Sequence, residues 1–133
     1  MKKVLVLCTG NSCRSIIAEA LINNELSNCV EAYSSGVKAS GRVNPNAKKV
    51  LQKHGIWRDD YHSKTLDTMM DTNYDLVITV CSNAKETCPT FPGLTQTMHV
   101  GFEDPDGKEF DAFLQTFVEI REKLIPIIKN KLC

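Results

Sequence analysis

The feature that most constrains this chain is the unbroken apolar run Val4-Leu5-Val6-Leu7 after Lys3. It stops at Cys8 and a turn-forming stretch, Thr9-Gly10-Asn11-Ser12, before Ile16, Ile17, Ala20 and Leu21 recur at helical spacing. A strand with no polar alternation is one buried on both faces, so it needs a layer of structure on each side. The order is therefore strand, loop, helix. A second apolar run, Leu76-Val77-Ile78-Thr79-Val80, lies between Asp75 and the polar segment 82–86. Shorter strands are expected at Val30 to Ser34 and at Thr97 to Val100. Asn44 followed by Pro45 reads as an N-cap with proline at the first helical position, opening a helix Pro45–His54 that stops at Gly55. From about Asp111, the residues Phe113, Leu114, Phe117, Val118, Ile120, Leu124 and Ile128 follow a 3.6 period, predicting a long C-terminal helix that Pro126 bends or tightens.

Strands alternating with helices imply right-handed crossovers and a parallel sheet. With 133 residues, the chain is expected to be one α/β domain spanning 1–133, a three-layer arrangement of a four-stranded parallel sheet with helices on both faces. Ligands of such sheets bind beyond the carboxyl ends of the strands. Cys8 and Cys81 each follow an apolar run, which sets two sulfurs on one rim.

Sixteen basic side chains balance sixteen acidic ones, so no bulk electrostatic attraction to nucleic acid or an anionic membrane is expected. No apolar stretch is long enough to span a bilayer, and Met1-Lys2-Lys3 leads into too short an apolar segment for a signal peptide. A cytoplasmic protein is the expectation. In that setting the six cysteines, Cys8, Cys13, Cys29, Cys81, Cys88 and Cys133, read as catalytic, redox or metal-binding rather than as a static disulfide framework.

The segment Cys8-Thr9-Gly10-Asn11-Ser12-Cys13-Arg14-Ser15 has the parts of an oxyanion cradle. Successive backbone N–H groups, the positive end of the following helix and the Arg14 guanidinium can together surround a tetrahedral anion. The same positive field stabilises a thiolate at Cys8, Ser15 can donate a hydrogen bond to it, and Asn11 suits a left-handed backbone position. A buried cysteine beside an incidental arginine is the bland alternative. The strand before and the helix after favour the cradle, and neither GxGxxG nor a Walker loop is present. Cys81 and Cys88 are separated by six residues, wider than structural zinc sites use, so no metal site is expected from them.

These residues resemble the low-molecular-weight tyrosine phosphatase superfamily, and within it the thioredoxin-coupled arsenate reductases. The resemblance is carried by Cys8–Ser15, Tyr33-Ser34-Ser35-Gly36, Asn44-Pro45, Asp75–Cys81 with Cys88-Pro89, and Gly101-Phe102-Glu103-Asp104-Pro105. It implies that Cys8 attacks arsenate while Asp104 protonates the departing oxygen. It also implies that Cys81 attacks Cys8 to release arsenite, and that Cys88 then takes Cys81 into a disulfide that thioredoxin reduces. Because disulfide partners must approach closely, the segment 82–92 is expected to adopt at least two conformations.

Two departures bear on this reading. Some reductases of this kind hold potassium beside the loop. Asn11, Glu19, Ser34 and the backbone at Ser63 match that pattern, but Thr65 stands where it has an aspartate, which weakens a hard-cation site. No tightly bound cofactor is expected. Second, Asp106 follows Asp104-Pro105 where the phosphatases place an aromatic residue. The rival readings are a phosphatase that uses Cys8, Arg14 and Asp104 alone, and a non-catalytic thiol switch or metal-binding module. Cys13 is expected to be a spectator, Cys29 a buried thiol and Cys133 part of a frayed terminus.

Overall fold

The computed structural model describes residues 1–88, 91 and 95–133. Four parallel strands, β1 (Lys2–Cys8), β2 (Val30–Gly36), β3 (Leu76–Thr79) and β4 (Gln96–His99), lie in the order β2-β1-β3-β4. β1 is central. Leu5 is flanked by Tyr33 of β2 and Val77 of β3, and every residue from Val4 to Cys8 is buried. Successive strand residues face opposite ways, so burial of the whole run means that both faces of the sheet are covered.

Helix α1 (Arg14–Glu25) is buried from Ser15 to Asn23, wedged between the sheet and α4 (Phe110–Leu132). Helix α2 (Pro45–Lys53) opens as expected: the Asn44 side chain accepts from Asn46 N–H at 2.8 Å, and Gly55 leaves the helix with φ +72°. α4 buries Phe113, Phe117, Ile120, Leu124 and Ile128, packs on α1 and α2, and continues through Pro126 to Leu132. Pro126 removes the N–H that the Glu122 carbonyl would otherwise receive, and both residues lie on the exposed side of the helix.

Two features differ from the sequence reading. The polar segment after β3, where no helix was expected, forms a short helix α3 (Ser82–Thr87). The Cys81 sulfur caps it by accepting from Ala84 N–H at 3.4 Å, and buried Ala84 anchors it to the core. The rest of the 82–92 stretch that was expected to change conformation lies largely outside the described residues. Cys29 and Cys133, read as a buried thiol and a frayed end, are joined in a disulfide with Cα atoms 5.9 Å apart. Because α4 runs against α1, its last residue reaches the turn that follows α1, and Cys29 is held in place there by its carbonyl, which accepts from Lys2 N–H.

A bond between residues 104 apart restricts the unfolded chain strongly. In oxidising buffer, Cys29→Ser is expected to lose about 2–4 kcal/mol of stability in equilibrium denaturation, and added reductant should bring wild type down to the variant. Coincident curves for the two proteins in oxidising buffer would show that the bond contributes nothing.

Candidate active site

The loop between β1 and α1 takes its shape from its own carbonyl groups. Those of Cys8, Thr9, Gly10 and Ser12 accept from the N–H groups of Val37, Lys38, Ser40 and Asn44 at 2.9–3.1 Å. The Ser63 hydroxyl adds a second bond to the Gly10 carbonyl at 2.9 Å. In a trans peptide, C=O and the following N–H point opposite ways. With the carbonyls held outward by the chain that follows β2, the intervening amides turn toward the loop's interior. Asn11 N–H is one of them and donates to Cys8 Sγ at 3.2 Å.

Asn11 stands at φ 50°, the one non-glycine residue with positive φ among those described. Its side chain compensates for that conformation. Its Oδ1 accepts from Lys64 N–H at 2.8 Å, which fixes the amide so that Nδ2 donates to Ser15 Oγ at 2.7 Å and to Ser34 Oγ at 2.9 Å. Ser34 in turn donates to Glu19 at 2.5 Å. Since Ser15 Oγ accepts from Asn11, its own hydrogen is left to point at Cys8 Sγ, 2.8 Å away. The buried sulfur of Cys8 therefore receives two donors, an arrangement that suits a thiolate.

Cys8, Thr9, Gly10, Ser12, Cys13 and Arg14 line an open cavity of about 690 Å³, with Asp104 on its far wall. Asn11 and Ser15, also read as part of the cradle, are fully buried beneath it. The sheet ladder continues past β4, because Val100 N–H donates to the Thr79 carbonyl and Phe102 N–H to the Val80 carbonyl. This carries the chain over the rim, where Arg14 donates to the Phe102 carbonyl at 3.1 Å and pairs with Asp104 at 3.4 Å. Asp104 also accepts from Asp106 N–H at 3.0 Å. Asp104 thus closes a local turn and stands in the cavity wall at the same time.

Cys81 is buried against the loop rather than in the cavity. Its Sγ lies 3.2 Å from Thr9 Oγ1, which itself accepts from Asn83 at 3.2 Å and so has its hydrogen free for the sulfur. Cys88 caps the other end of α3, and burial pushes its thiol pKa up. Cys13 is also buried; desolvation, with Asp106 and Asp104 nearby, pushes it up to about 12 and keeps it a neutral thiol. Pro89 lies outside the described residues.

Sequence reasoning did not single out several residues that shape this site. Gly36 is one: a Cβ there would sit 2.6 Å from the Thr9 carbonyl oxygen and 3.0 Å from Asn11 N. Only glycine lets β2 approach the loop so closely. Arg42 and Asn44 line the cavity, and Asn44 holds Asp106 at 2.8 Å. Lys64 is another, since neither its backbone bond to Asn11 nor its ammonium leaves a trace in spacing or periodicity. Gly36 and Asn44 had a signal, their places in the Tyr33–Gly36 and Asn44-Pro45 segments.

The residues matched to a potassium site do not fit that ion. Asn11 Oδ1 is taken by Lys64 N–H, Ser34 lies between Asn11 and Glu19, and Thr65 brings no carboxylate. The Lys64 ammonium lies 3.8 Å from the Glu19 carboxylate, where it would repel a second cation. Among the described residues no group of three His, Cys, Asp or Glu side chains gathers in a way that could hold a metal ion.

The family model described as low molecular weight phosphotyrosine protein phosphatase matches residues 3–130. Proteins named arsenate reductase from Brevibacillus brevis and Bacillus cereus are 41% and 42% identical to the chain, covering 92% of it and 91% of their own length. The crystal structure of an arsenate reductase from Archaeoglobus fulgidus superposes with a TM-score of 0.77 at 29% identity, covering 95% of this chain and 98% of its own. A low molecular weight protein tyrosine phosphatase from T. tengcongensis superposes at 0.81 and 29%, covering 99% and 100%. The α/β architecture and the parallel sheet read from the sequence are those of this family's structures.

Gly36→Ala is expected to leave the circular dichroism spectrum native and to weaken binding of inorganic phosphate by about tenfold or more in calorimetry, since the Thr9 carbonyl oxygen, 2.6 Å from the added carbon, is backbone and must move away with the loop. Unchanged phosphate affinity would mean that the loop tolerates the added carbon. Iodoacetamide at pH 8 should modify Cys8 well ahead of Cys13, read by peptide mass spectrometry; the reverse order would contradict the placement of a neutral thiol at Cys13.

Proposed function

The chain belongs to the low molecular weight phosphotyrosine protein phosphatase family, and within it we propose that this protein is an arsenate reductase working through Cys8, Cys81 and Cys88 and recycled by thioredoxin. The observation that carries this reading is a second sulfur, Cys81, packed against the loop that holds the first, with a third one short helix away. A phosphatase has no use for them.

Arsenate enters the cavity as a tetrahedral oxyanion bound by the amides of residues 9–15 and by Arg14. The Cys8 thiolate attacks arsenic, and Asp104 supplies the proton with which the displaced oxygen leaves as water. The Cys81 thiolate then attacks Cys8 Sγ. A Cys8–Cys81 disulfide forms while the electron pair of the sulfur–arsenic bond stays on arsenic, which departs as arsenite. Two thiolates have thus given up two electrons.

Cys88 next attacks Cys81 and frees Cys8. Cys81 and Cys88 cap opposite ends of α3, and seven steps of a helix separate them by about 10 Å, beyond the reach of a disulfide of about 7 Å. The helix must unwind for the bond to close. That demand is small, because a six-residue polar helix is marginal alone and Ala84 is its one buried residue. Unwinding carries the new disulfide outward, where a thioredoxin dithiol can reduce it.

The same cradle holds phosphate, so slow hydrolysis of an aryl phosphate is expected as a side activity. The cavity favours a small inorganic ion over a phosphotyrosine. Its rim carries Arg42, Asn44 and Asp106, with Asp106 where an aromatic residue would flank a substrate ring.

Cys88→Ser is expected to complete one turnover and accumulate a Cys8–Cys81 disulfide, detected by non-reducing peptide mass spectrometry. Repeated turnover of this variant with thioredoxin would remove Cys88 from the path. In wild type the step that resolves this disulfide should accelerate as pH rises above neutral, because burial keeps Cys88 protonated there and a higher pH enlarges its thiolate fraction. A rate for this step that stays flat from pH 7 to 9 would contradict attack by the Cys88 thiolate.

A further inference from the structure

We propose that the Lys64 ammonium is a tethered cation built into the support of the Cys8 loop, which makes the site independent of any dissolved monovalent cation.

Lys64 Nζ donates to the His62 carbonyl at 2.8 Å and lies 3.8 Å from Glu19 Oε1, with both side chains about nine-tenths buried. From that carboxylate an unbroken line of hydrogen bonds leads to the sulfur. Ser34 donates to Glu19, Asn11 donates to Ser34 and Ser15, and Ser15 lies against Cys8. Each link sets the direction of the next. An ionised Glu19 takes the Ser34 hydrogen, so Ser34 can only accept from Asn11. The other Asn11 hydrogen then occupies Ser15, whose own hydrogen turns to Cys8.

The line depends on what happens at Glu19. Burial pushes its pKa up, toward a neutral acid that would itself need an acceptor, whereas the Lys64 charge and the Ser34 hydrogen bond act to keep it ionised. Lys64 is held at both ends. Its backbone N–H donates to Asn11 Oδ1, and its carbonyl accepts from Gly36 N–H at 2.9 Å. The residue thus fixes the orientation of the Asn11 amide and supplies the positive charge at the far end of the line. Lys64 touches neither the cavity nor the reacting sulfur, so it is a positioning residue.

This proposal takes Cys8 as the nucleophile of the proposed reaction, yet its test needs no arsenate turnover, so either can fail without the other. Wild-type protein is melted in potassium chloride and in tetramethylammonium chloride at equal ionic strength, and the rate of Cys8 alkylation by iodoacetamide at pH 7 is followed in both. Wild type should show the same Tm and the same rate in the two salts. Lys64→Ala should melt roughly 5 °C lower in tetramethylammonium, because it strands a buried carboxylate, and should alkylate about three- to tenfold more slowly. Potassium or methylammonium, small enough to enter the vacated space, should restore part of both, and Lys64→Arg should stay near wild type without them.

A wild-type Tm raised specifically by potassium overturns the proposal and needs no variant to be folded. So does a Lys64→Ala protein that matches wild type, or one whose defect no small cation repairs. The last result would leave Lys64 with a packing role only.

Discussion

The site rests on one constraint: the carbonyls of the loop after β1 are held from outside. Four backbone N–H groups between Val37 and Asn44 bind the carbonyls of Cys8, Thr9, Gly10 and Ser12, and the loop has no freedom to turn its amides away from the cavity. A peptide that had to reorganise to meet an anion would spend binding energy on ordering itself. One already held in place does not. Gly36 permits the close approach that these bonds need, and parallel pairing of β1 with β2 up to Cys8 and Gly36 sets the register.

The sulfurs differ through their surroundings rather than through their chemistry. Cys8 receives hydrogen bonds from Asn11 N–H and, by elimination, Ser15. Cys81 is placed to receive them from Ala84 N–H and Thr9. Cys13, near two carboxylates and buried, has the opposite environment and stays protonated. The tightly packed loop and the marginal helix α3 divide the labour. The first must not move if an oxyanion is to be bound, and the second must unwind if Cys88 is to reach Cys81 in the proposed relay. Cys29 and Cys133 lie apart from both, tying the end of α4 to the turn after α1.

Much of this was legible before any coordinates. A wholly apolar run is a two-sided strand whatever surrounds it, and Asn44-Pro45 opens a helix for local reasons; both readings match the structure to within a residue or two. Helix α3 was missed because six polar residues carry no period, and its cap is a cysteine sulfur instead of a usual side-chain oxygen. The Cys29–Cys133 bond was missed because nothing local records that α4 ends beside the start of β2. Lys64 was hidden for a related reason. It sits in an irregular segment and acts through a backbone N–H and through a charge whose partner is forty-five positions away.

The reductase reading is tested most directly by the stoichiometry of electrons. Protein supplied with arsenate, thioredoxin, thioredoxin reductase and NADPH should consume one NADPH for each arsenite formed, with no consumption when arsenate is left out. Loss of inorganic phosphate from an aryl ester with no arsenate-dependent NADPH oxidation would contradict it, leaving a phosphatase with two unused sulfurs beside its loop.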